Sequence, residues 1–239
     1  MSEVAVVRDV AAAAAELFVE SVSGAVAARG RACVALTGGS SATPLFALLR
    51  AQRTLPWDRV HFFFTDERAV SPSDPLSNFG LADRELLARV PVAPAQVHRI
   101  RAEEPDREAE GRRYANEIRQ TTGNPPRFDL VLLGLGPDGH ICSLFAGVPT
   151  SGERGDDRLV RAVASPEHVE PHVPRITLTP FLVVTARNVA LQVSGAAKAP
   201  VLARALRDPE DLVACPAQWL RRASGRVVVA CDEAAAANL

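Results

Sequence analysis

The sequence predicts an α/β protein in three layers, a mainly parallel sheet with helices on both faces, Rossmann-like and spanning residues 1–239 as a single domain. Short apolar runs of strand length alternate with helix-like segments along the chain, the pattern of successive βα units. Several runs are apolar from end to end, as in residues 128–133 (FDLVLL), which suits strands covered on both faces. The runs end in glycine-rich or charged turns, and open α/β sheets bind ligands outside the carboxyl ends of their strands.

Taken in order, residues 3–7 read as a short strand. Asp9 is placed to cap a helix through Val10, Leu17, Phe18 and Val22, with Gly30 as its stop. Residues 31–36 (RACVAL) form a second strand, followed by Thr37-Gly38-Gly39-Ser40-Ser41 and a helix from about Thr43 to Arg50. A strand, a Gly/Ser loop and a helix start read as an anion site, because free N–H groups and the helix dipole favour a phosphate, with an ordinary βα turn as the alternative. No G-K-[ST] follows, so the loop is not a nucleotide P-loop. Residues 60–64 (VHFFF) are the third strand, ending in Thr65-Asp66-Glu67-Arg68, three charges that are costly to bury unless a ligand or partner satisfies them. Ser77 can cap a helix over residues 78–87. Residues 96–100 read as another strand, and 105–120 as a polar helix with Ala109, Tyr114 and Ile118 as its apolar face and its charges in solvent.

The strand at 128–133 stops at Gly134-Leu135-Gly136-Pro137-Asp138-Gly139, and His140 follows. The three glycines spell G-x-G-x-x-G, but a dinucleotide site also needs a following helix and a strand ending in an acid. Gly147, Pro149, Gly152 and Gly155 leave little room for that helix, and Asp156 and Asp157 precede a strand-like run. The dinucleotide reading is therefore rejected. Two readings stay open on local grounds: an idle surface turn, or a catalytic acid or base at His140 beside Asp138. Residues 151–158 are a polar loop, 159–164 and 175–179 are extended, Thr179-Pro180 opens a helix through Thr185, and 188–193 form a strand. Ser194-Gly195-Ala196-Ala197-Lys198 leads into a helix towards Leu206, Trp219 sits in a short helix, and residues 226–231 are the last strand.

Composition narrows the function. Hydrophobic residues make up 47% of the 239, enough for a real core and against disorder. No apolar run approaches a membrane span of about 20 residues, and no basic-then-apolar leader opens the chain. A net charge of −1 with both signs interspersed argues against a nucleic-acid partner. Cys33, Cys142, Cys215 and Cys231 form no C-x-x-C pair, so they read as buried thiols in a reducing cytoplasm, with no zinc site or disulfide framework. Lys198 is the one lysine among 27 basic residues, which marks it for a task that arginine does not perform. Residues alone thus point to a small phosphorylated molecule held by the glycine loop and cations, with a histidine acting at its other end.

In the segments Leu36–Ser40, Phe64–Arg68, Ser77–Gly80, Gly134–Gly147, Pro174–Thr179 and Gly195–Ala199, in that order, the chain resembles the 6-phosphogluconolactonase family. The resemblance implies hydrolysis of 6-phospho-D-glucono-1,5-lactone to 6-phospho-D-gluconate in the oxidative pentose phosphate pathway, without metal or organic cofactor. It implies that His140 is the general base, with Asp138 beside it and Arg68 in the active site. Asp66 and Asn78 would line the pocket, and Gly38, Gly39, Ser40, Arg175 and Lys198 would bind substrate and phosphate. Departures from the family pattern are Ser41-Ala42-Thr43 in place of Thr-Pro-basic, Ile141-Cys142 in place of Thr-Ala, and Ala146 in place of proline. The expected partner is a phosphorylated sugar lactone, with no nucleic acid or membrane; a monomer is compatible, and the oligomeric state is open. The nearest rival is a glucosamine-6-phosphate deaminase/isomerase; Ser143-Leu144-Phe145-Ala146 and Arg68 stand where that group carries Phe-Asn-Glu-Pro and a tyrosine. A sugar-phosphate-sensing domain without turnover is the rival from another class.

Overall fold

A computed structural model of the chain describes residues 2–148 and 158–239. Six parallel strands form the main sheet: β1 (Glu3–Val6), β2 (Ala32–Leu36), β3 (Val60–Phe64), β5 (Leu130–Gly134), β8 (Asn188–Val193) and β9 (Arg226–Cys231), in the order β1-β9-β8-β5-β2-β3. The all-apolar runs were the right signal, since β2 is buried at every position and β5 at all but Gly134. Helices surround the sheet, as the alternating pattern predicts. α1 (Val10–Arg29) starts where the Asp9 side chain accepts from Ala12 N at 2.9 Å and stops at Gly30, whose φ of 75° is left-handed. By length and composition α1 also meets the measure of a membrane span, which the sequence reading did not anticipate. Its buried face, including Phe18 and Val22, belongs to the hydrophobic core, and the helix packs on β2 and β8.

From β2 the chain passes through α2 (Ala42–Arg50) to β3 on one side, while β5 lies on the other. That divergence opens a crevice between the carboxyl ends of β2 and β5, the topological switch point of such sheets. The Gly/Ser loop leaves β2 there and the His140 turn leaves β5 there.

Three features differ from the sequence expectation. Asp66–Arg68 is a strand (β4), not only a charged turn; it pairs antiparallel with β7 (Arg175–Leu178), and β7 pairs with β6 (Val160–Val163) in a second, three-stranded sheet. Residues 96–100 are not a strand: Pro94–Gln96 is a single 3₁₀ turn, followed by one bridge between Val97 and Phe62. The Gln96 amide, which donates to the Trp57 and Val60 carbonyls, holds the chain in that turn instead. The polar helix, α4 (Arg107–Thr122), does not leave all its charges in solvent. Glu110 is buried and accepts from Arg101 N and from Arg113, which also pairs with Glu117. These carboxylates hold the Arg113 guanidinium above its usual range, outweighing the opposing effect of burial. The polar loop expected over 151–158, with Asp156 and Asp157, lies outside the described residues except for Arg158.

The remaining helices are α3 (Asn78–Glu85), α5 (Pro180–Thr185) and α6 (Ala199–Arg207), with a short 3₁₀ segment around Trp219. α3 starts as expected: the Ser77 hydroxyl accepts from Gly80 N at 3.0 Å.

Candidate active site

The turn after β5 is closed by Gly136 N donating to His140 O at 2.8 Å and Gly139 N donating to Gly136 O at 3.2 Å. It folds the His140 ring over Gly136 so closely that a Cβ there would sit 2.0 Å from His140 Nδ1. Only glycine permits that ring position. Among the described residues, an Ile141–Leu144 bridge follows the turn. His140 Nδ1 lies 2.5 Å from Asp138 Oδ1, and His140 N also donates to that oxygen at 3.2 Å. The other oxygen, Oδ2, accepts from Ala146 N at 3.2 Å and faces His168 Nε2 at 3.1 Å. Burial opposes the charged carboxylate, but the hydrogen bond and charge of His140, with the two backbone donors, hold Asp138 well below the usual carboxylate range. An ionised Asp138 accepts from Nδ1–H, so in the neutral tautomer that this contact favours the lone pair lies on Nε2.

Beside the turn, Asp66 is the first residue of β4, separated from the end of β3 by Thr65 alone. Its carboxylate accepts from Ser143 Oγ at 2.6 Å and Thr65 Oγ1 at 3.2 Å, while Asn78 Nδ2 donates to the Asp66 carbonyl at 2.9 Å. Asn78 Oδ1 presses on Gly38, where a Cβ would come within 1.8 Å of it. Glu67, expected to need a ligand or partner, is satisfied within the chain instead. It accepts from Arg68 N, Asn78 N, Phe79 N and Ser77 Oγ, and so ties β4 to the start of α3. Burial still raises its pKa above the usual carboxylate value, against the pull of those four donors.

Arg68 and Arg175 are directly opposite one another on β4 and β7. Like charges in that position repel. Arg68 donates to the Leu76 carbonyl, Arg175 to the Pro171 carbonyl, and the Arg175 guanidinium lies 5.3 Å from the centre of the Phe145 ring. Burial is the main cause that lowers the Arg175 pKa; Arg68 adds to it and Asp66 opposes it. Two guanidinium groups make this side of the cleft electropositive. Lys198, at the start of α6, is half-buried, and burial pulls its ammonium below the usual range while Asp138 offsets part of the shift.

These groups face one cleft of about 740 Å³. Gly38, Gly39, Ser40, Asp66, Arg68, Asn78, His140, Arg175 and Lys198 all line it. Asp138 lies behind His140 rather than on the wall. Ser41, which the sequence reading named in the Gly/Ser loop, also lines the cleft, as do His168 and Gln192, which were not singled out from the sequence. The one signal available for Gln192 was an amide inside the otherwise apolar run VALQV. Asn78 Oδ1, Arg68 Nε, Arg175 Nε and Gln192 Nε2 are buried without a hydrogen-bond partner among the described residues.

Fold and cleft together define a class: a parallel α/β protein with a cation-lined cleft at its strand tips and, in the same cleft, an imidazole set by a carboxylate. Within that class, the chain belongs to the family described as glucosamine-6-phosphate isomerases/6-phosphogluconolactonase, whose sequence model matches residues 6–229. It is 35% identical over 224 residues to the 6-phosphogluconolactonase of Synechocystis sp., covering 91% of this chain and 89% of that one. It is 39% identical over 214 residues to that of Mycobacterium tuberculosis, covering 86% and 85%. The solved structure of the 6-phosphogluconolactonase from Trypanosoma brucei superposes with a TM-score of 0.88 at 27% identity, covering 100% and 99%.

Proposed function

We propose that the chain hydrolyses 6-phospho-D-glucono-1,5-lactone to 6-phospho-D-gluconate, the lactone step of the oxidative pentose phosphate pathway. The single observation that carries this reading is the Asp138-oriented imidazole of His140 in the same cleft as the Gly/Ser loop, Arg68, Arg175 and Lys198. Names shared by the relatives support it.

His140 Nε2 takes a proton from water as the water oxygen bonds to the lactone carbonyl carbon. Negative charge moves to the carbonyl oxygen, and Arg68 stabilises it. The tetrahedral centre then expels the ring oxygen, and the imidazolium returns its proton to that oxygen. One water is consumed and His140 ends as it began. A lactone is an activated ester, so a base and charge stabilisation suffice without a nucleophilic serine. Asp66 and Asn78 contact the sugar, while Gly38, Gly39, Ser40, Arg175 and Lys198 hold the phosphate, whose remote binding positions the ring. A cytoplasmic location belongs to the same proposal and rests on the sequence.

The test generates the lactone in situ and follows proton release against the spontaneous rate. His140→Ala is expected to lower kcat by about 10²–10⁴-fold, the usual contribution of a general base, with much less effect on KM. An unchanged kcat would remove the base assignment. Release of ammonia from glucosamine 6-phosphate would instead favour the deaminase reading.

A further inference from the structure

β8 runs apolar from Val189 to Leu191, then places Gln192 in the cleft wall before Val193. Gln192 is only 3% exposed, and its Nε2 has no hydrogen-bond partner among the described residues. A buried amide without a partner lowers stability, and folds retain such groups where a ligand completes them.

Its surroundings indicate which ligand group does so. In the ladder Gln192 is level with Gly134, which has no side chain to cover the amide. A Cβ on Gly134 would lie 3.3 Å from Ser41 Oγ, so Ser41, Gly134 and Gln192 stand side by side. Ser41 is the N-cap of α2, and its hydroxyl makes no capping hydrogen bond. The N-terminus of that nine-residue helix, a hydroxyl that does not cap it and an amide nitrogen unpartnered among the described residues thus line one cleft with Lys198. Helix N-terminal N–H groups and a cation suit a dianion, and neutral donors complete its hydrogen-bond shell.

We propose that Gln192 is a specificity residue of this site: its side-chain amide donates to an oxygen of the substrate's phosphate. The inference rests on the proposed function only for the identity of the rest of the substrate. Gln192 selects for a phosphorylated sugar over the free sugar, since an unphosphorylated molecule leaves the amide unpaired.

The test compares wild type with Gln192→Met, which keeps the length and removes the donor. Three quantities are measured: KM for the phosphorylated lactone, the inhibition constant of inorganic phosphate, and the thermal midpoint. Expected are rises of about tenfold in KM and in the phosphate constant, the size of one hydrogen bond, with the change falling on KM rather than kcat. The thermal midpoint without ligand is expected to stay level or rise, because an unpaired buried amide has been removed. Gln192→Glu, which sets a carboxylate against the phosphate, is expected to weaken phosphate more than Gln192→Met does. Unchanged phosphate inhibition, or a fall in the midpoint with KM intact, overturns the proposal and makes Gln192 structural. A rise in KM without a matching rise in the phosphate constant also overturns it. Calorimetry with inorganic phosphate separates the two readings. If wild type binds phosphate, Gln192→Met binds it weakly and neither hydrolyses lactone, the activity fails and the role of Gln192 stands. If wild type binds no phosphate, the role of Gln192 fails.

Discussion

Asp138 serves two imidazoles at once, His140 through one carboxylate oxygen and His168 through the other. Its folded pKa is depressed, so the carboxylate contributes stability that is fully present above its unfolded value of about 3.9. That contribution fades as the pH falls from there toward the lower folded value. Asp138→Asn is expected to flatten the acid side of the stability curve, measured by melts between about pH 5 and pH 3. The same variant is expected to lower kcat by about 10–100-fold, because the imidazole loses the acceptor that sets its tautomer. A variant with the wild-type acid profile would show that Asp138 is not held as an anion by these contacts. At this scale the sequence exposed His140 because a glycine turn and a rare histidine coincide. It hid Gln192, since a lone amide in a strand carries no local sign of facing a cleft. His168 was hidden for a different reason: its partner, Asp138, is 30 residues away along the chain.

α4 shows how one element sets the position of another. Tyr114 is fully buried, and its hydroxyl accepts from Phe64 N at 2.7 Å while donating to Phe64 O at 3.1 Å. Phe64 is the last residue of β3, an edge strand, just before the chain enters β4. The phenol therefore satisfies both backbone groups where the main ladder ends. Burial keeps that phenol protonated far above its usual range, with the hydrogen bond to Phe64 opposing only part of the effect. Tyr114→Phe leaves a buried N–H and C=O unpaired and is expected to cost about 1–3 kcal/mol in urea unfolding. Since Tyr114 does not line the cleft, an unaltered unfolding midpoint would mean that water replaces the hydroxyl there. Ala109, Tyr114 and Ile118 announced the apolar face of this helix in the sequence, whereas the Glu110–Arg113–Glu117 network did not. Charges at helical spacing look alike whether they face water or a neighbouring loop. β4 was missed as a strand for a related reason: three charged residues are unlike a buried ladder, and only pairing with β7 makes them one.

The cleft is a property of the whole molecule, because two sheets supply its walls. The parallel sheet contributes the Gly/Ser loop, the His140 turn and Lys198, and the three-stranded sheet contributes Arg68 and Arg175. A ligand that bridges them stabilises both against unfolding. At about 100 times its dissociation constant, 6-phosphogluconate is expected to add about 2.7 kcal/mol. For a chain of this size that raises the melting temperature by roughly 5–10 °C, readable by calorimetry. No shift at saturating product would contradict the proposed substrate. The sequence by itself determined the six strands of the parallel sheet, the helices between them and the places where glycine turns interrupt them. Those follow from local rules: apolar periodicity, caps, and the backbone freedom of glycine. Only the tertiary structure decided which strand tips became neighbours, that Glu67 is satisfied internally, that Arg68 faces Arg175, and that the Gln192 amide nitrogen stands in the wall without a partner among the described residues. Each depends on pairing between residues far apart in the chain, and no local pattern records it.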